Sequence, residues 1–361
     1  MPRHLRMARG LLETFPRRFN STSTRAPQPG IAVVGGGRMG LIRARDIYAA
    51  PGATLSAFID DSPAARDEIS REYGVATYDN LEEALSAHKE VSGVWISTPT
   101  PSHLHLIKQV ALARKAVGVE KPVASDVASI KEAYGICDKA GVPLYCSFQR
   151  RVDPSYCALA EAVHNGKLGS LRSVSGIFRD SPVPSIEFLK DGGDIFHDLA
   201  VHDIDFVRYL VQEEPSRVYA TQHAFVDELR EVGVQDSAHI LLSFPSGLTF
   251  TLEMTRMSPY GYDNRIEVCG ELGVMEVVNR PQSSLVHWHK NGVMADRPDP
   301  SFPERYLAAF ALEVAEFIKV LKGYEPLVTC DDSCKATYIA ERASQSAKLG
   351  VPLPLHFNDM E

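Results

Sequence analysis

From Ile31 to Phe148, short apolar, β-branched runs alternate with stretches of helical period. IAVV is followed by LIRARDIYAA, TLSAFID by PAARDEISREYG, GVWIS by HLHLIKQVALA and AVGV by ASIKEAYGICDKA, and PLYCSF closes the series. Apolar runs without polar alternation read as strands buried on both faces, and the segments between them read as amphipathic helices. Strand, helix, strand at this spacing implies right-handed crossovers and a parallel sheet covered on both sides. The expectation is a doubly wound Rossmann domain over residues 29–150.

Beyond Arg150 the pattern changes. Helical periods around 154–166 and 194–212 lead into strand-like segments RVYATQHAFV, DSAHILLSF, LTFTLEMT, NRIEVCG, GVMEVV and SLVHWHK. FPSGL, Phe244 to Leu248, has the glycine of a hairpin turn. Two helical patterns, PERYLAAFALEVAEFIKVLKG and SCKATYIAERASQSAKLG, end the chain. Residues 151–361 are therefore expected to form a second α/β domain with a large open, mainly antiparallel sheet, serving substrate binding and oligomerisation.

Composition narrows the class. Of the 361 residues 44% are hydrophobic and 23% charged, the profile of a globular enzyme. No apolar run is long enough to cross a bilayer. The six cysteines contain no CxxC pair, so neither a disulfide framework nor a metal site is expected. The first 28 residues stand apart: Arg3, Arg6, Arg9, Arg17, Arg18 and Arg25 face the single acid Glu13. Leu5, Ala8, Leu12, Phe15 and Phe19 share one side of a helical wheel, and NSTST follows. An Arg-rich, acid-poor amphipathic leader reads as a mitochondrial transit peptide, the alternatives being a disordered extension and a cytoplasmic protein. The net charge of −8 leaves an acidic body with no electrostatic footing for nucleic acid.

Chemistry enters with IAVVGGGRMG. Gly35, Gly37 and Gly40 have the GxGxxG spacing, directly after a strand and opening a helix. The first glycine allows the tight turn, the second close approach of a pyrophosphate, the third helix-on-strand packing. Arg38 and Met39 lie inside this loop. Asp60 ends the next strand, where a carboxylate can accept the adenosine-ribose hydroxyls, which favours NAD over NADP; Arg66 nearby leaves NADP open, and a helix cap is the other reading of Asp60. PTPSH, with Thr98, Pro99 and His103, and EKP, with Glu120, Lys121 and a turn-fixing Pro122, follow at carboxyl ends of later strands. In GGDIFHDLAVHDIDFVRYLV the apolar residues Ala200, Ile204, Val207 and Val211 recur at helical spacing. Asp198, His202, Asp205 and Tyr209 share the opposite face, just after Gly192 and Gly193.

GGGRMG, Asp60, STPTPSH, VEKPVA, SFQRRVDPSY and GGDIFHDLAVHDID, in that order, resemble the family of glucose–fructose oxidoreductases, inositol dehydrogenases and their MocA-like relatives over roughly residues 31–355. DSPVPSIEFLK and PYGYDNRIEV are most similar to the inositol 2-dehydrogenase branch. The resemblance implies Lys121, Asp198 and His202 as catalytic groups. It implies a cofactor site of Gly35, Gly37, Arg38, Met39, Gly40, Asp60, Thr98, Pro99, Glu120 and Lys121, with His103 near the nicotinamide. Arg151, Asp205, Tyr260 and Tyr262 would line the sugar site with Lys121, Asp198 and His202. The departures are Arg114, Gly118 and His197, which bear on sugar specificity.

Oxidising a secondary alcohol requires a base for the hydroxyl proton and an acceptor for the hydride. His202 is the expected base, with Asp198 and Lys121 orienting the imidazole and the substrate oxygen. The expected reaction is myo-inositol to 2-keto-myo-inositol with NAD. Alternatives are another sugar, scyllo-inositol or a trans-dihydrodiol as substrate, or a non-catalytic NAD-binding regulator. A homodimer or homotetramer through the open sheet is the expected assembly.

Overall fold

The structure, a computed structural model, describes residues 28–186, 189, 193–360. The N-terminal leader expected from the sequence lies outside them. Six parallel strands, β1 (Gly30–Val34), β2 (Thr54–Ile59), β3 (Ala76–Tyr78), β4 (Val91–Ile96), β5 (Ala116–Glu120) and β6 (Leu144–Ser147), form a sheet of order β3-β2-β1-β4-β5-β6. Between them run α1 (Arg38–Ala49), α2 (Pro63–Tyr73), α3 (Leu81–Ala87), α4 (His103–Leu112) and α5 (Val127–Ala140). The order reverses between β1 and β4, and a crevice opens beyond the strand ends at such a switch point. The glycine loop and the Ser97–Thr98 turn meet there: a Cβ on Gly35 would lie 2.8 Å from the Ser97 carbonyl.

The remainder is α6 (Pro154–His164), β7 (Leu171–Arg179), a π turn at Phe196–Ala200, α7 (Val201–Val211), β8 (Arg217–His223), α8 (Asp227–Glu231), β9 (Ser237–Ser243), β10 (Thr249–Thr255), β11 (Asp263–Gly270), β12 (Val274–Val277), β13 (Val286–His289), β14 (Gly292–Ala295), α9 (Phe302–Arg305), α10 (Leu307–Val320), α11 (Cys330–Leu349) and β15 (Leu353–Pro354). The second sheet has order β12-β11-β7-β10-β9-β8-β15. It is antiparallel except where β10 lies parallel to β7, and Gly247 turns the β9–β10 hairpin at φ +91°. Its strands alternate buried and exposed positions, so one face packs on helices and the other is open.

Four features differ from the sequence expectation, the first being SLVHWHK, which forms β13 and pairs with β14 in a separate two-stranded sheet instead of joining the large one. Strand β7, at the sheet's centre, is new: its inward positions are Val174, Gly176 and Phe178, and Gly176 removes the apolar residue that would have marked the period. That glycine leaves room for Leu252, whose methyl would sit 2.9 Å from an added Cβ. The closing helical pattern breaks at Tyr306 into α9 and α10, and α10 returns to the first sheet. Phe317 packs edge-on to Trp95 with ring centroids 5.2 Å apart, over Gly93 and Gly118. Finally, a π turn takes the place of the first turn of the expected helix, and Asp205 within α7 is buried against Arg151 instead of sharing an open face with His202.

Candidate active site

The glycine loop has the form a dinucleotide needs. A Cβ on Gly40 would lie 1.7 Å from the Gly35 carbonyl oxygen, so only glycine lets α1 start there. Gly37, at the N-cap of α1, has nothing within 4 Å of an added Cβ, and the start of the helix is open to an anion. Asp60 turns its carboxylate to this loop, accepting from the Gly36 N–H at 2.5 Å and the Ser62 N–H at 2.8 Å. The helix-cap role belongs to Ser62, which accepts from the Ala65 N–H. Arg66 donates to the Asp60 and Asp61 carbonyls at 2.6 and 3.1 Å, which parks a guanidinium beside the ribose position. Arg38 reaches away from the loop, stacked on Phe302 at 4.5 Å and donating to Ser301 Oγ at 3.0 Å. These residues fit NAD: an open helix start for the pyrophosphate and a carboxylate at the ribose.

Lys121 leaves β5 through a cis Lys121–Pro122 peptide and meets the π turn 77 residues later. Its Nζ donates to the Asp198 carbonyl at 2.7 Å and lies 3.4 Å from Asp198 Oδ1. The other carboxylate oxygen, Oδ2, is 2.7 Å from an Arg256 guanidinium nitrogen. Burial raises the Asp198 carboxyl, but Lys121 and then Arg256 outweigh it and hold it below the usual carboxylate range. His202 stands edge-on to Phe148 at 6.1 Å between centroids, and its buried Nδ1 has no hydrogen-bond partner among the described residues. Burial first, then the cations Lys121 and Arg150, keep its imidazole far below the ordinary value. His202 is thus a neutral imidazole beside an ammonium, a state that can accept a proton.

Arg256 went unnoticed in the sequence, although a signal exists. Phe250, Leu252 and Met254 occupy the buried parity of β10, and Arg256 continues it. Asp180 continues the same parity of β7, and Thr255 pairs with Arg179 in register, so the two groups leave neighbouring strands side by side. Burial, reinforced by Asp198, pushes the Asp180 carboxyl up to about 6 against the pull of Arg256 and Arg38.

Other expected site residues are placed elsewhere. Glu120 Oε1 is taken by Arg43 at 2.7 Å and by the Trp95 indole N–H at 3.0 Å. His103 is buried, its ring nitrogens 2.9 Å from the Pro122 carbonyl and 2.8 Å from the Thr98 carbonyl. It ties the turns after β4 and β5 together instead of facing a ligand. Arg151 and Asp205 close on each other through two hydrogen bonds of 2.9 and 2.7 Å, under the Tyr209 ring. Neither offers a free group to a sugar. Tyr262 is buried between Phe178 and Tyr306. Tyr260 is exposed, with its hydroxyl donating to Asp263 and accepting from Arg179 at 2.6 Å. Met39 packs partly buried against the core, and Thr98 shares a hydrogen bond with Ser102 at 2.6 Å.

Comparison with known proteins agrees with this geometry. Residues 30–148 match the family described as an oxidoreductase family with NAD-binding Rossmann fold, and residues 156–276 match the GFO/IDH/MocA C-terminal domain. The chain is 32% identical over 318 residues to an inositol 2-dehydrogenase of Rhizobium meliloti, covering 87% of this chain and 95% of that one. It is 30% identical over 334 residues to a scyllo-inositol 2-dehydrogenase (NAD⁺) of Bacillus subtilis, covering 90% and 95%. The crystal structure of a myo-inositol 2-dehydrogenase from Lactobacillus plantarum superposes with a TM-score of 0.85 at 28% identity, over 91% of this chain and 100% of that one. These relatives are bacterial, which overturns the mitochondrial destination expected from the N-terminal arginines.

Proposed function

The chain belongs to the GFO/IDH/MocA family of oxidoreductases with an NAD-binding Rossmann fold, and from that premise we propose that it oxidises one secondary alcohol of a cyclic polyol, converting myo-inositol to 2-keto-myo-inositol with NAD. The observation that carries the reading is the convergence of Lys121 and Asp198, with His202 one turn further on, at the carboxyl edge of the NAD-binding sheet. Relatives of more than 30% identity named as inositol dehydrogenases support the substrate class.

Gly35, Gly37, Gly40 and Asp60 hold the cofactor, which supplies a hydride acceptor when bound. The chain supplies the rest. Lys121 donates a hydrogen bond to the reacting hydroxyl oxygen and offsets the negative charge that develops on it. His202, held neutral by burial and two cations, takes the hydroxyl proton as the carbinol carbon gives up its hydride. Asp198 fixes the ammonium. The second sheet's open face, with Tyr219 and Leu241 each 37% exposed, serves a homodimer or homotetramer.

The experiment is NADH formation from a panel of inositols, sugars and dihydrodiols, with Lys121→Ala and His202→Ala alongside. Each variant should lower turnover on the order of 10² to 10⁴-fold while NAD affinity holds. Equal loss of NAD binding would make both residues structural, and turnover of dihydrodiols alone would replace the substrate class.

A further inference from the structure

Arg256 is fully buried at the end of β10, yet among the described residues it has a single ion pair, to Asp198 Oδ2 at 2.7 Å, and its Nε has no hydrogen-bond partner. Burying a guanidinium is costly unless its donors are used. Arg43, equally buried, uses its donors on Glu120, Glu313, Ser147 and the Phe310 carbonyl, whereas Arg150 resembles Arg256 in having one ion pair, to Asp203, but that partner lies outside the site. Arg256 instead spends its charge on one oxygen of a residue in the site.

We propose that Arg256 is a positioning residue of the reaction: it fixes one oxygen of the Asp198 carboxylate, so that the other oxygen and the Asp198 carbonyl form the seat of the Lys121 ammonium. The proposal rests on the dehydrogenase reading above. The groups that act on Asp198 are Lys121 from the turn after β5 and Arg256 just past β10, with Asp180 beside them just past β7. With Arg256 gone, Lys121 is the one cation left to pair with Asp198. The carboxylate then rotates onto the ammonium and withdraws it from the substrate oxygen. Gly35, Gly37, Gly40 and Asp60, which hold the cofactor in this reading, are not among the groups bonded to Asp198 or Arg256.

The test is a double-mutant cycle on the full-length enzyme with Arg256→Gln, Arg256→Lys, Asp198→Asn and the Asp198→Asn/Arg256→Gln pair, measuring kcat, KM for polyol and NAD affinity. Arg256→Gln should lower kcat on the order of 10 to 100-fold with NAD affinity within about twofold, and Arg256→Lys should recover part of the loss. In the Asp198→Asn background the loss from Arg256→Gln should shrink to less than about threefold, since the group it acts through is already neutral. Should Arg256→Gln fail to fold, Arg256→Lys with and without Asp198→Asn completes the same cycle. Losses that multiply, or a kcat for Arg256→Gln within about twofold of the parent, overturn the proposal. If the parent oxidises no polyol, the dehydrogenase reading falls and ¹³C NMR of the Asp198 carboxyl decides the positioning alone. A titration midpoint raised in Arg256→Lys or Arg256→Gln supports it, and an unmoved midpoint refutes it.

Discussion

Arg43 and Glu313 are 270 positions apart in the chain and 2.6 Å apart in space, both fully buried. The guanidinium sits on α1, just behind the glycine loop, and the carboxylate on α10, which returns from the far end of the sequence. The same arginine holds Glu120, the residue before Lys121. One cation thus ties the cofactor loop, the lysine-bearing strand end and the returning helix together. Burial lifts the Glu313 carboxyl to about 7, with Arg43 pulling against it and Glu120 adding to it. Arg43→Met strands two carboxylates and should cost about 3–5 kcal/mol of stability. Glu313→Gln keeps Arg43 paired to Glu120 and should stay within about 1 kcal/mol. Urea denaturation of both variants checks this, and equal losses would refute the shared-cation account.

That relationship shows where the sequence stops being readable. The first sheet's long strands announce themselves as β-branched runs because both of their faces are buried, and Lys121 could be placed because it ends one of them. Three-residue β3 is too short to carry a period, and β7 hides its period at Gly176. Within the site, Asp198 and His202 were legible from helical spacing, whereas the burial of Asp205 comes from its pairing with Arg151, 54 residues earlier, which spacing does not show. Arg256 is visible only if the alternation of β10 is followed one step past its last apolar residue. The return of α10 is a long-range packing choice that no local pattern encodes.

Gly37 and Gly40 separate two uses of glycine. Gly40→Ala drives a methyl into the Gly35 carbonyl at 1.7 Å, so the strand–helix turn itself must shift. Gly37→Ala meets nothing within 4 Å in the protein and is expected to intrude only on a bound cofactor. The first should lose about 1–3 kcal/mol of stability along with NAD binding. The second should lose NAD affinity with stability changed by less than about 1 kcal/mol. Thermal unfolding paired with NAD titration distinguishes them, and a Gly37→Ala protein that binds NAD normally would move the pyrophosphate elsewhere.

Asp60 and Arg66 are expected to set cofactor choice together. The Asp60 carboxylate can accept two ribose hydroxyls and repels a 2′-phosphate, while the Arg66 guanidinium is already docked on the Asp60 and Asp61 carbonyls. Hydrogen bonds to a charged group are each worth about 1.5–3 kcal/mol. Asp60→Ser should therefore lower kcat/KM for NAD on the order of 10 to 100-fold and leave or raise that for NADP. The added Asp60→Ser/Arg66→Ala change should remove the NADP gain. An unchanged NAD/NADP ratio in Asp60→Ser would sink the ribose assignment.

His202 and Asp180 give the pH dependence opposite signs. The imidazole is depressed by burial, by Lys121 and by Arg150, so it remains an unprotonated base well below about pH 6.5. The Asp180 carboxyl, raised to about 6, gains its proton first on acidification and removes a negative charge beside Asp198 and Arg256. The kcat/KM profile for polyol should thus bend near pH 6 and fall again lower, and Asp180→Asn should erase the upper bend while leaving the lower one. Stability follows the same groups. Unfolded His202 binds a proton near 6.5 and folded His202 does not, so the fold loses stability as pH drops below that value. Asp180 works in the other direction: between about 3.8 and 6 the folded state holds the proton that the unfolded chain has released, and the cost of burying its charge grows as pH rises through that window. Denaturation at pH 5 and 7 should therefore show the parent weaker at pH 5 and His202→Asn less so, and equal acid losses in both would mean that the imidazole is already charged in the folded protein.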